Sequence, residues 1–278
     1  MICKQSKTMK NYLTHKNLIL IAMAMTAGLM ALLIPAIQAE RDAALELSCA
    51  GNLKHTSQGL LNLESSMRKL PKAIQTSSSG KPYRSWRTQV YPDFLEQLPR
   101  IYDASTAWDS GKNMRLINGT PISIGGKDGA KAIVTLPRVP FCFACPKCKN
   151  PTGVNYVVVT GTGTLFPDAG SVTLSDVSDG VENTLLLVES VTCTPEWIEP
   201  RDLDIRTMQF AVNSRNGPSI SSFHPGGALV CFADLEVFLM TESITALELQ
   251  ALITIDGGEP IRREELVSRG VLIKKSVD

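Results

Sequence analysis

Leu18–Ile37, LILIAMAMTAGLMALLIPAI, holds no charged residue. It matches the roughly 20 apolar residues that an α-helix needs to cross the hydrocarbon core of a bilayer. The chain runs on through residues 38–70 as QAERDAALELSCAGNLKHTSQGLLNLESSMRKL, with Gly51 and Gly59 as the only breakers before Pro71. This predicts one long helix that leaves the membrane near Gln38 and ends at Pro71. Leu47, Ala50, Leu53, Leu60, Leu63, Met67 and Leu70 recur at helical spacing, so they can lie on one broad face covered by a sheet.

Charge orients this helix. The 278 residues carry a net charge of +1, but Lys4, Lys7, Lys10 and Lys16 all precede the apolar run and no acid does. Glu40 and Asp42 follow it. A basic flank before the span puts the N-terminus in the cytoplasm and the remainder outside, across an inner membrane. The outer part is left with an acidic excess, and it lacks the basic patch of a nucleic-acid binder. A signal peptide cut after Ala39 is the competing reading. The length of the apolar core, and Ile37 where a small residue is preferred, favour an uncut anchor. The expected organisation is therefore a cytoplasmic N-terminus (1–16), a transmembrane helix (17–37), its extramembrane continuation (38–70), a β-rich extracytoplasmic domain (71–259) and a tail (260–278).

Residues 77–82, SSSGKP, form a loop, and short helices and turns are expected from Ser85 to Asn113. From about Thr120 the pattern changes to strands. Candidates are Pro121–Ile124, Ala132–Leu136, Asn155–Thr160, Thr184–Glu189, Ser219–Phe223, Ala228–Phe232 and Val237–Met240. Turns are expected at 126–129 (GKDG) and 225–227 (PGG). Ser243 caps a helix over Ile244–Ile255, stopped by Gly257 and Gly258, and the tail adds a short helix and strand. Strands after a helix, without βαβ alternation, indicate an α+β fold.

Seven cysteines are present: Cys3 on the cytoplasmic side, and Cys49, Cys142, Cys145, Cys148, Cys193 and Cys231 outside, where disulfides persist. Six cysteines allow fifteen pairings, and sequence does not choose among them. Cys142-x-x-Cys145-x-x-Cys148 is the sharpest local signal. Thr152 stands where a ferredoxin-type run needs its fourth cysteine. A zinc site would need a ligand from elsewhere, such as Cys193 or Cys231. Disulfides are favoured on the oxidising side; metal ligation and free thiols stay open. Asp176 and Asp179, with Glu182 and Asn183 beside them, offer a calcium loop without EF-hand spacing; the plainer reading is an Asp179-Gly180 turn leading into a strand. Gly161 and Gly163 are a weak nucleotide signal, lacking a third glycine and a following helix. Trp86, Trp108 and Trp197 are core anchors or, less simply, a carbohydrate platform. His224 and Asp234, with nine residues between them, read as a hydrogen bond closing a hairpin, with a metal site or hydrolytic pair as the alternative. No nucleophile motif accompanies them.

These segments together resemble a large bacterial family of prepilin-like proteins of unknown function, marked by a C-terminal motif of His, nine residues, Asp-Gly. The likeness runs from about Leu29 to Glu259. In the helix it rests on Pro35, Ala36, Gln38, Ala39, Arg41, Ala43, Ala44, Cys49, Asn52, Leu53 and Lys54. Further matches are Ser85, Trp86, Arg87, Pro92, Leu95, Glu96, Gln97, Tyr102, Asp103, Trp108, Asp109 and Asn113; then Cys145-Pro146 and Asn155-Tyr156. Asp179, Gly180, Asn183, Thr184, Glu189, Trp197, Glu199, Pro200, Asp202 and Leu203 follow, and His224 and Asp234 close the series. The resemblance implies a pilin-like fold, with the long N-terminal helix packed on an antiparallel sheet, and a structural or accessory role in secretion or surface assembly. Partners would be the bilayer, through Leu18–Ile37, and pilin-like or secretion-system proteins. Neither catalysis nor a cofactor is expected. Two departures stand out. Leu235 replaces the motif's Gly, so the turn there should change type if that Gly carried a positive φ. Leu13 and Leu18 stand where the prepilin pattern has its cleaved Gly and its Glu. An anchored or secreted carbohydrate-binding module is the second reading, and a hydrolase using His224 and Asp234 the third.

Overall fold

The computed structural model of the chain describes residues 2–90, 98–125, 131–135, 139–148 and 153–277. The expected matches at Pro92, Leu95, Glu96 and Gln97, the 126–129 turn, the strand end at Leu136, and Thr152 lie outside those residues. Two compact units are present, Met1–Leu45 and Glu46–Asp278.

One helix, α1 (Ile2–Met67), contains Pro35 as well as both glycines. Proline gives no N–H, so one hydrogen bond is missing there, and the helix continues through it. In the first unit the described side chains of the apolar run are unburied: Leu20, Met25, Leu32 and Ile37 are each more than 60 % exposed. The helix ends earlier than expected. Arg68 turns left-handed at φ 55°, and the Lys69 N–H closes back on the Glu64 carbonyl at 3.2 Å. Pro71 then follows a stop already made.

Within the second unit, α1 buries Cys49, Ala50, Leu53, Thr56, Ser57 and Leu60. Leu47 and Met67, expected on that face, are exposed. Two polar residues take places that a hydrophobic count overlooks. The Thr56 hydroxyl donates to the Cys142 carbonyl at 2.9 Å, so it enters the core satisfied.

The rest of this unit is β-rich. In chain order come β1 (Ile74–Thr76), β2 (Pro82–Ser85), α2 (Arg87–Val90), α3 (Leu98–Ile101), α4 (Gly111–Met114), β3 (Ile122–Gly125) and β4 (Lys131–Val134). A 3-10 turn over Phe141–Phe143 leads to β5 (Tyr156–Val157), β6 (Val159–Thr160), β7 (Leu185–Glu189) and β8 (Leu203–Asp204). Then follow β9 (Gly227–Phe232), β10 (Val237–Thr241), α5 (Ala246–Ile253), α6 (Arg263–Ser268) and β11 (Leu272–Lys275). The main sheet has the order β11-β10-β9-β7-β5, antiparallel throughout. Every residue of β7 and β9 is buried, which is why LLLVE and GALVCF read as runs and not as alternations. The fold is α+β: a long apolar N-terminal helix with antiparallel sheets. The expected separate tail is not separate, because β11 is the edge strand of the main sheet.

Three expectations fail for local reasons. The strand Asn155–Thr160 breaks at Val158, whose N–H goes to the Asp202 carboxylate at 3.1 Å; β6 then pairs in parallel with β8. Ser219–Phe223 forms no strand. Its Ser221 N–H reaches the Glu189 carbonyl, but side chains interrupt a ladder: the Ser190 and Thr192 hydroxyls both donate to the Ser219 carbonyl, and the Val191 N–H donates to Ser221 Oγ. Helix α5 is capped by Thr245 in a capping box with Glu248, not by Ser243.

Arg87 and Asp202 form a fully buried ion pair at 2.5 Å. Asp202 also accepts from Trp86 Nε1, and Arg87 also donates to the Tyr156 carbonyl. Burial pushes the Asp202 carboxyl up, against the pull of Arg87 and of the hydrogen bonds it receives. The pair ties α2 to the segment carrying β8 and fixes the break at Val158. Asp202→Ala should cost about 3–5 kcal/mol, because it leaves a buried guanidinium uncompensated. Urea unfolding of the full chain in detergent checks this; a loss under about 1 kcal/mol would mean that water reaches Arg87.

The β9–β10 hairpin closes through Ala233, Asp234 and Leu235. The Leu235 N–H donates to the Phe232 carbonyl, and Asp234 Oδ1 accepts the Glu236 N–H. Leu235 sits at φ 69°. The turn has therefore kept the conformation that suits glycine, contrary to expectation, and Leu235 bears the strain. Leu235→Gly should stabilise the protein by about 0.5–1 kcal/mol, the left-handed penalty less glycine's greater freedom when unfolded. The urea midpoint should rise at unchanged slope; a fall would show that Leu235 packing outweighs the strain.

Candidate functional site

Four segments far apart in the chain meet in the core. Cys49 comes from α1, Cys145 from the loop after the 3-10 turn, Glu189 from the end of β7, and His224 from the loop before β9. All four are buried, and one ligand-type atom from each lies within 4.8 Å of the others. The two Sγ atoms are 2.8 Å apart, and His224 Nε2 is 3.5 Å from Cys145 Sγ.

The surroundings hold these side chains in place. The Cys145 N–H donates to Asn155 Oδ1 at 3.0 Å, and the His224 N–H to Ser222 Oγ at 3.0 Å. Tyr156 donates its hydroxyl to the Cys49 carbonyl at 3.3 Å. Glu189 Oε2 accepts the Leu229 N–H at 3.4 Å. Gly227, beside the histidine loop, is required by close approach: a Cβ there would stand 2.2 Å from the Met240 carbonyl oxygen. Two polar atoms of the cluster, Glu189 Oε1 and His224 Nδ1, are buried without a hydrogen-bond partner.

Burial pushes the Glu189 carboxyl up to about 8, with Cys145 adding to the shift and Ser222 and His224 opposing it. The Cys145 thiol is pushed up to about 12, first by its contact with Cys49 and then by burial, with His224 pulling it down. Burial pulls the His224 imidazole down, but its contact with Cys145 and the Glu189 charge outweigh this and leave it raised. Two sulfurs, an imidazole and a carboxylate form a donor set for a borderline-soft divalent metal.

Other expected site residues are placed elsewhere. His224 and Asp234 do not bond; they stand beyond opposite ends of β9. Asp234 pairs with Arg263 at 2.6 Å. Cys142 and Cys148 do not join Cys145 in a ligand set, and neither Cys193 nor Cys231 supplies the expected fourth ligand. Cys49, Cys142, Cys145, Cys148, Cys193 and Cys231 are unbridged. The Asp176 carboxylate closes a capping box with Thr173, and that of Asp179 takes the N–H groups of Gly257 and Gly258. Asn183 binds the Arg263 N–H, Thr184 donates to the Gly180 carbonyl, and Gly180 takes φ 95°. This corner therefore anchors the C-terminal segment.

Trp86 and Trp197 are fully buried, so neither offers a sugar platform. Trp108 is half-buried and lines a cavity of about 660 Å³ with Asp109, Glu199, Arg201 and Asp204. Glu199 there pairs with Arg201 at 2.7 Å.

Sequence reasoning named Cys49, Cys145 and His224 as separate candidates but gave Glu189 no ligand role. Its one signal is a carboxylate ending an otherwise apolar strand. No family model, curated protein or solved structure matches the chain.

His224 and Asp234 share no partner, so their energetics should be independent. The unfolding losses of His224→Ala and Asp234→Ala should add in the double variant to within about 0.5 kcal/mol. A coupling above about 1 kcal/mol would restore the hairpin-closing pair.

Proposed function

We propose that this is a membrane-anchored, extracytoplasmic protein of pilin-like build with a structural or accessory role in secretion or surface assembly. The carrying observation is the unburied apolar surface that the described side chains of Leu18–Ile37 present on the helix whose later turns enter the β-rich unit. One helix is long and apolar enough to cross a membrane among the described residues. The lysines before it and the acids after it support an N-terminus inside and the β-rich unit outside, at an inner membrane. The motif likeness supports the pilin-like class. Leu13 and Leu18, in place of the prepilin Gly and Glu, support an anchor that is never trimmed and that does not enter filaments by the usual route. No catalytic role is assigned, since His224 is buried and apart from Asp234.

The test is the N-terminus and intact mass of the protein from fractionated native cells. A membrane-bound chain retaining Leu18–Ile37 is expected. A soluble chain beginning at Glu40 would overturn the anchor and leave α1 as a brace for an exported domain. Filament preparations should lack the protein; its presence there would refute the bypass of processing.

Trp108 favours a second reading, a carbohydrate-binding module, because it alone of the three tryptophans borders a cavity with acidic groups. Glycan binding that Trp108→Ala abolishes would support it, and a blank glycan array would end it.

A further inference from the structure

We propose that Cys49, Cys145, Glu189 and His224 form a structural zinc site that pins the outer part of α1 to the β-rich unit. The convergence of four buried donors and their chemistry carry this; on one tetrahedral ion the two sulfurs would move apart from 2.8 Å to about 3.8 Å. Four donors from four segments converge within 4.8 Å, in a region closed to solvent. Zn²⁺ takes four ligands of this kind in tetrahedral sites, with sulfur, imidazole and carboxylate all represented. Structural sites are closed, as this one is.

The unpartnered atoms are an independent observation. Glu189 Oε1 and His224 Nδ1 are buried with no hydrogen bond. Such groups destabilise a core unless something satisfies them. A disulfide between Cys49 and Cys145 would use the two sulfurs and leave the acid and imidazole as they are. A dication on the two sulfurs, His224 Nε2 and the Glu189 carboxylate would engage all four side chains at once, give Glu189 Oε1 the partner it lacks and offset the burial of the carboxylate. Supporting bonds from Leu229 to the carboxylate, and from Asn155 and Ser222 to the ligand backbones, give the rigidity a metal site needs.

Binding is a ligation step without redox change. Each thiol loses its proton to solvent as its sulfur coordinates, Glu189 does the same where it is protonated, and His224 binds through a neutral nitrogen. The site does not depend on the anchor reading, because it lies wholly within Glu46–Asp278.

The experiment takes the full chain, purified under inert gas from whichever cell fraction holds it, and measures metal by mass spectrometry. About one zinc per chain is expected. Cys145→Ser and His224→Ala should each reduce it at least about tenfold, while Cys193→Ser should leave it intact. Should the ligand variants fail to fold, the wild type still decides. Cys49 and Cys145 should resist alkylation until a chelator is added, and cobalt loading should produce a thiolate charge-transfer band. A metal-free wild type carrying a Cys49–Cys145 disulfide overturns the proposal. So does alkylation of both thiols without a chelator, or zinc that persists in Cys49→Ser, Cys145→Ser and His224→Ala alike.

Discussion

One helix, from Ile2 to Met67, has to serve two apolar surfaces of different kinds. The first is apolar all round, and its described side chains are left uncovered. The second is a stripe at 49–50, 53, 56–57 and 60 that the β-rich unit buries. Pro35, Gly51 and Gly59 all lie inside the helix without ending it, although Pro35 removes one N–H from the ladder. Its stop comes from the left-handed Arg68, where the Lys69 N–H turns back to the Glu64 carbonyl.

The interior of the β-rich unit is organised by polar groups as much as by apolar ones. Arg87 and Asp202 are wholly buried, and their hydrogen bonds reach Trp86, Tyr156 and Val158. Such a pair adds little net stability over an apolar substitute, but it makes alternative pairings costly, since any of them strands a charge. It is also what diverts Val158 out of the main sheet. The Cys49–Glu189 cluster is less complete: Glu189 Oε1 and His224 Nδ1 both lack hydrogen-bond partners, where the ion pair leaves Arg87 Nε without one.

How much of this was legible in the sequence follows from the range of the forces involved. Long apolar runs declare themselves, so α1, β7, β9 and β10 were readable from residue type alone. Ser219–Phe223 was misread because serine hydroxyls at 190 and 221 interrupt the backbone ladder, and propensity does not register side-chain substitutes. The stripe on α1 was read from its leucines, which missed that Thr56 and Ser57 are buried while Leu47 is not. The cluster was visible only in pieces. Cys49 and Cys145 are 96 positions apart, and nothing local links them. Glu189 ends a strand whose other residues are all aliphatic, a hint that has no partner until the sheet is assembled.

The His-to-Asp spacing shows how a sequence interval can record architecture without a bond between its ends. Between His224 and Asp234 lie the glycine turn and the whole of β9. The strand length therefore sets the interval, and each end serves a different neighbour: His224 faces Cys145, and Asp234 holds Arg263. A lengthened strand would shift one end relative to the other, and a one-residue slip would turn every β9 side chain to the opposite face. The spacing is thus a constraint of register. It brings the histidine to the cysteines on one side of the sheet while the hairpin closes on Asp234 and the strained Leu235 at the other end.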